Sequence, residues 1–231
     1  MADQAYGGRP ANGLRDVEED ALRERMENAV RTAVAQTRGR VLTRQGRLED
    51  VRYHASCGGR TSDIEQVFPE ARPGSTGAEC PCGEAAAGAQ ERAWKHTFSA
   101  GQLGALARTL GVGERVVSLS PVQVQPWRWS QVLVRGESGQ TQVSFLRLRS
   151  LLGPNLLRSG RIQGTWPHPG KIIEPGGGWA VYGAGHGHGA GLCPTGTHLL
   201  AGRDWSATRL LRHYFSGAVV RSLPLSGSRR P

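Results

Sequence analysis

Lysine is almost missing from this chain: Lys95 and Lys171 are the only two in 231 residues. Arginine therefore carries most of the positive charge, and no five basic residues run together. That excludes a basic tail of the kind that coats nucleic acid. No zinc-finger spacing, RNA-binding aromatic motif or basic helix is present, so nucleic acid is not an expected partner. Long apolar runs are absent too. None reaches the roughly 18 residues that a membrane-spanning helix needs. No apolar stretch of signal-peptide type opens the sequence, so neither a transmembrane segment nor a secretory signal is expected in this chain.

What the chain has is glycine and net positive charge: 33 glycines, and +10 from 29 basic against 19 acidic residues. The charge favours anionic surroundings, such as acidic headgroups or the anionic bacterial wall. The glycine concentrates in Trp179–Leu200, WAVYGAGHGHGAGLCPTGTHLL, where six glycines fall between Gly183 and Gly196. Ordering glycine costs more backbone entropy than ordering any other residue, so such a run signals tight turns or close backbone approach to a ligand. His186 and His188 sit between Gly185, Gly187 and Gly189, where imidazoles can hydrogen-bond, move protons or bind metal.

The remaining pattern is mixed. Val17 to Gln36 reads as an amphipathic helix with Leu22, Met26, Ala29, Val30, Ala33 and Val34 on one stripe, stopped by Gly39. Strands are expected over Arg40–Thr43 and Leu48–His54, joined at Gln45-Gly46. Residues 69–90 read as loop. Ser99 should cap a helix that runs to Leu110 and stops at Gly111. Strands come next between Val116 and Phe145, then a short helix to Leu152 ended by Gly153-Pro154. Trp205–Tyr214 reads as a last helix, and residues 222–231 as a disordered tail after a domain over 1–221. Without regular βαβ alternation, the expected fold class is α+β, with a mostly antiparallel mixed sheet and a few packed helices.

A second unusual segment is Tyr53–Phe68, YHASCGGRTSDIEQVF. It sets His54 and Cys57 before Gly58-Gly59, with Thr61, Ser62 and Asp63 behind. The diglycine implies special backbone angles. Ser62 or Asp63 is a candidate cap for a short helix through Phe68.

Together the two segments resemble the SpoIID/LytB family, which includes stage II sporulation protein D and the amidase enhancer LytB. That family carries Y-H-S/A-x-C/S-G-G-x-T, then much later G-x-G-x-G-H-G-V-G-M-S-Q-x-G-A. AVAQTRGRVLTRQGRLEDVRYHA, FLRLRSLLGPNLLRSGRIQ and LLRHYFSGAVV resemble further family segments in the same order. The resemblance implies a cell-envelope protein that binds and remodels peptidoglycan glycan strands. Sporulation members are similar to lytic transglycosylases, and LytB-like members enhance a cell-wall amidase, a candidate partner here. On this reading His186, His188, Gly185, Gly187, Gly189, His54, Gly58, Gly59 and Thr61 line a glycan groove.

The chain also departs from the family. The family glutamate that acts as acid and then base lies on an upstream E-M-P-type helix, and the segment around Tyr6 resembles a family stretch located after that helix. No catalytic residue is carried over. Glu18, Glu19, Glu24, Glu27 and Glu65 read as charged helix surface. A non-catalytic binding or enhancer module therefore stands beside the transglycosylase-like reading. The family's M-S-Q is Leu192-Cys193-Pro194 here, which gives four cysteines, Cys57, Cys80, Cys82 and Cys193. If both motifs face one cleft, Cys57 and Cys193 are neighbours. Two disulfides, for example Cys57 with Cys193, four unpaired thiols, or a structural zinc all remain open. Cys80-Pro81-Cys82 is shorter than the usual zinc knuckle, so no cofactor is the leading expectation and a His/Cys metal protein a weaker one. Among the tryptophans, Trp166 is the one expected to be exposed. Trp127, Trp129, Trp179 and Trp205 are expected in the core before a sugar platform, and Trp94 as the anchor of the cysteine loop.

Overall fold

The computed structural model describes residues 17–83, 93–125 and 128–223. Among them it has six α-helices and nine strands in three small antiparallel sheets, an α+β fold. The expectations for the segment around Tyr6, for Glu18 and Glu19 as surface residues, for Trp127, for loop residues 84–90 and for tail residues 224–231 fall outside the described structure.

The chain divides into two compact units. The smaller combines the described parts of Ala2–Glu49 and Ala218–Pro231. It contains helix α1 (Val17–Thr37) and a sheet ordered β2-β1-β9, from β1 (Arg40–Arg44), β2 (Arg47–Leu48) and β9 (Val219–Ser222). Gln45 and Gly46, at φ 50° and 77°, form the tight turn between β1 and β2, as hairpin twist requires. β2 ends at Leu48, so the strand expected to reach His54 is far shorter. Ser222 belongs to β9, whose pairing with Arg40 replaces the expected start of the tail. The apolar stripe of α1 is exposed, with Leu22, Met26, Val30 and Val34 each more than half accessible.

The larger unit is Asp50–Gly217. Its core lies between two sheets and two helices. One sheet, β4-β5-β6, is a meander of β4 (Val116–Gln125), β5 (Arg128–Gly136) and β6 (Gln140–Ser144). The other, β3-β8-β7, comprises β3 (Ala93–Phe98), β7 (Ile162–Trp166) and β8 (Trp179–Ala184). Helix α3 (Ala100–Leu110) starts at a capping box: the Ser99 hydroxyl accepts from Gln102 N, and Gln102 reaches back to Ser99 N. Gly111 ends it at φ 67°, a left-handed cap. Helix α4 (Phe145–Leu152) is capped by Ser144 and ends at Gly153.

Alternation on β5 sends Val132 and Val134 inward, and Phe98, Leu103, Leu148 and Trp179 fill the space between. Phe98 and Trp179 stack at 5.7 Å. Trp129 is buried as expected, Trp94 is buried as well, and Trp166 is 69% exposed. Helices α5 (Pro194–Ala201) and α6 (Ala207–Tyr214, capped by Ser206) come after the glycine-rich loop. Trp205, just before α6, is half-buried and carries the Arg209 guanidinium on its ring.

A candidate metal centre of four cysteines

The glycine-rich loop runs directly off β8 and lies against the 53–62 segment. Isolated bridges join Tyr53 to Leu192, Ser56 to His186 and Ser62 to Ala190. Ser56 and His186 exchange both backbone hydrogen bonds, at 3.1 and 2.8 Å. This contact needs glycine. A Cβ on Gly185 would sit 2.7 Å from the Ser56 carbonyl, and one on Gly189 would enter the Arg128 guanidinium. The glycines thus serve close approach of backbone to backbone.

That approach gathers the cysteines. Cys57 lies within the first segment, Cys193 ends the loop as the N-cap of α5, and a 3-10 turn at Pro81–Gly83 presents Cys80 and Cys82. All four are buried, and their sulfurs lie within 4.8 Å of one another. Cys57 and Cys193 are neighbours as expected: the Cys57 N–H donates to Cys193 Sγ at 3.4 Å. They are not a disulfide, however. None of the four is in a disulfide, and Cys57 Sγ approaches Cys82 Sγ at 3.2 Å.

The arrangement fits a mononuclear metal. Zinc–sulfur bonds of about 2.3 Å at tetrahedral angles set sulfurs about 3.8 Å apart, between the closest contact here and the outer limit. The spacing argument against Cys80-Pro81-Cys82 fails for a physical reason. The site is assembled from three chain segments, so no knuckle has to supply its ligand pair. For the alternative set Cys57, Cys80, Cys82 and Cys193, the geometry supports a buried four-cysteine cluster able to hold a structural metal.

Hydrogen-bond donors surround the sulfurs. Gly196 N–H also donates to Cys193 Sγ at 3.4 Å, and the Tyr214 hydroxyl lies 3.3 Å from Cys80 Sγ. Such donors around the ligands orient them and spread their charge. Hydrogen bonds with Cys193, Cys80 and Cys82, reinforced by burial, push the Cys57 thiol up, while bonds with Cys193 and Cys57 hold Cys80 and Cys82 down.

Arg128, at the start of β5, supplies the countercharge. Its side chain is buried and donates to the Cys57 carbonyl, and its Nη1 has no hydrogen-bond partner among the described residues. Burial lowers its pKa to about 10, against the pull of Cys57, Cys193 and Cys82, so it stays cationic at neutral pH. Among the described residues no carboxylate pairs with it. A buried, uncompensated guanidinium costs several kcal/mol. Thiolates beside it, as a bound metal would hold them, would offset that cost.

The sequence-derived groove residues divide. His188 is held at both ring nitrogens: Nε2 donates to the Tyr53 carbonyl at 2.9 Å, and Nδ1 accepts from Ala190 N–H at 3.2 Å. Burial lowers its pKa to about 4. His54 Nδ1 donates to the Ala190 carbonyl at 3.1 Å, and burial first, then Arg128, takes its pKa down to about 3. Thr61 is buried and its hydroxyl accepts from Ala78 N–H. The two histidines knit the two segments together, Thr61 ties the first of them to Ala78, and none of the three is presented as a free contact. His186 is half-buried, its pKa lowered by burial beside Arg149 and Arg158. Asp63 precedes the short helix α2 (Ile64–Val67), but its carboxylate accepts from Gly77 N–H and makes no cap hydrogen bond; Glu65 is exposed.

Two recesses lie in this unit, one beside Arg128 and one beside Cys80. One, bordered by Arg128, Phe145, Gly187 and His188, has a volume of about 30 Å³, room for about one water. The other is open, about 500 Å³, and walled by Gly59, Arg60, Cys80, Arg161, Arg203 and His213. Arg128, Arg161 and Tyr214 are the residues sequence reasoning missed. For Arg128 a signal existed, a lone arginine between Trp127 and Trp129 at the head of an alternating strand.

No family model matches the chain. It is similar to an uncharacterised protein of Brachyspira hyodysenteriae (strain ATCC 49526 / WA1), 25% identical over 198 residues. That alignment covers 86% of this chain and 50% of the relative, so the chain spans about half the length of the curated relative it matches. Among the described residues no helix is long and apolar enough to cross a membrane.

Proposed function

We propose that this chain is a zinc-stapled module that binds peptidoglycan glycan strands in the bacterial cell envelope, in the manner of the SpoIID/LytB proteins it resembles. The observation that carries the reading is the interlocking of the two motif segments through Ser56–His186 and Ser62–Ala190. Segments far apart in sequence that resemble one family's paired motifs meet here. Cys57, Cys80, Cys82 and Cys193 hold the zinc. Its chemistry is a buried cross-link among three segments, with four thiolates partly neutralised by Zn²⁺ and Arg128. The open recess floored by Gly59 is large enough for a sugar ring, and exposed Trp166 offers a stacking face. Binding is the role assigned to this chain, and enhancement of a cell-wall amidase is its companion reading.

The test is a sedimentation assay of the zinc-loaded chain with purified peptidoglycan and with peptide-stripped glycan strands. Saturable binding to stripped strands supports the reading; no retention on either sinks it. Mass spectrometry of the same strands for anhydro-muropeptide ends separates binding from cutting, and their appearance would overturn the purely binding role.

A further inference from the structure

We propose that the open recess is an oxyanion site in which Arg161 grips a phosphate or carboxylate group. Arg161 lies between the recess and the diglycine turn. A Cβ added at Gly59 would stand 2.5 Å from Arg161 Nη1, and one at Gly58 would stand 3.1 Å from its Cδ. Gly58 and Gly59, at φ 77° and 121°, therefore leave the space this side chain occupies, which is a chemical reason for the pair apart from turn geometry. Among the described residues the Arg161 guanidinium has no hydrogen bond and no ion pair, although it is half-buried.

Its arginine neighbours repeat the sign. Arg60 and Arg203 share the recess wall, and among the described residues Glu79 is the one carboxylate lining it. Glu79 is committed to Arg60, and its backbone carbonyl accepts from His213 Nε2 at 2.7 Å. Arg161 adds to the local positive charge, and its proximity disfavours the Arg128 cation. A planar guanidinium held half-buried without a partner, in a recess of about 500 Å³, has the fork geometry that two oxyanion oxygens satisfy. The inference rests on the recess and does not depend on the wall-glycan reading.

The test is thermal-shift and calorimetric titration of the zinc-loaded chain with inorganic phosphate and with acetate, against chloride at matched ionic strength. The proposal expects saturable stabilisation by phosphate, acetate or both, and the two arms tell a phosphoryl site from a carboxylate site. Arg161→Gln should weaken that binding at least tenfold, and Arg161→Lys, which keeps the charge and loses the fork, by less. Zinc content of each variant verifies that the cluster beside the recess is intact. Equal effects of chloride, or an Arg161→Gln protein of full zinc content that binds as tightly as the parent, overturn the proposal.

Discussion

Arg128 donates to the carbonyl of Cys57 from a buried position without a carboxylate partner among the described residues. This contact makes the charge of the cluster testable. If the four sulfurs are neutral thiols, Arg128 is an unpaired buried cation, and its replacement by a nonpolar residue of similar length should stabilise the fold. If they are metal-bound thiolates, the same replacement removes their countercharge. The expected outcome for Arg128→Met is a loss of about 3–5 kcal/mol in denaturant unfolding. Zinc affinity should fall about 10–100-fold in a chelator competition. A more stable Arg128→Met protein would refute the thiolate assignment.

The metal itself gives a second prediction. One zinc per chain is expected by elemental analysis of protein purified without added metal. Chelation, or Cys193→Ser, should remove it and cost about 4 kcal/mol, equivalent to metal present at about a thousandfold over its dissociation constant. For a domain of this size that lowers the melting temperature by about 8–16 °C. Metal-free protein that melts at the same temperature as metal-loaded protein would exclude a structural role.

Much of the larger unit was legible in the sequence. Ser99 and Gly111 bracket α3 because a hydroxyl cap and a left-handed glycine are local signals that need no tertiary help. The meeting of the two motifs was also readable, through the neighbourhood of Cys57 and Cys193. The four-cysteine cluster was not, because Cys80 and Cys82 reach it by way of a 3-10 turn and no local spacing rule describes that path. The backbone bonds of the histidines were not legible either: the flanking glycines signalled close approach, and in the structure they let His188 bond backbone at both nitrogens. On α1, periodicity marked the apolar stripe correctly but carried no information on what, if anything, covers it.

The histidines make a pH prediction. Burial holds His188 near a pKa of about 4 and His54 near about 3, below the unfolded value of about 6.5. The fold therefore prefers both rings neutral. Their contribution to stability is complete above about pH 6.5 and is lost as pH falls through the window toward 4 and then 3. Ring signals of His188 in NMR should stay those of the Nε2–H tautomer down to pH 5. The stability difference between the parent and His188→Asn should shrink over the same descent, beginning below pH 6.5. A His188 ring that titrates near 6.5 would contradict the assignment.

Trp166 separates surface from core. It is exposed on β7, so Trp166→Ala should leave the melting temperature within about 2 °C, as most surface substitutions do. If glycan strands stack on it, the same variant should lose affinity for them by about tenfold, or 1.4 kcal/mol, in the sedimentation assay. Unchanged retention would remove Trp166 from the binding face without touching the metal assignment.

Gly189 and Gly46 have nearly the same backbone angle, φ 81° and 77°, but different surroundings. Nothing lies within 4 Å of a Cβ built on Gly46, whereas one on Gly189 runs into the Arg128 guanidinium. An L-residue at either position carries the left-handed backbone cost of about 1–2 kcal/mol. Gly46→Ala should show that cost and nothing more, with zinc content unchanged. Gly189→Ala has to displace Arg128 as well, so it should cost at least about 2 kcal/mol beyond the Gly46 variant, within the range for overpacked interiors. It should also weaken zinc retention, because the side chain it displaces is the one that compensates the thiolates. Equal destabilisation by the two substitutions, with zinc retained in both, would mean that Arg128 can leave its place beside Cys57 without consequence, and the charge argument for the cluster would fail with it.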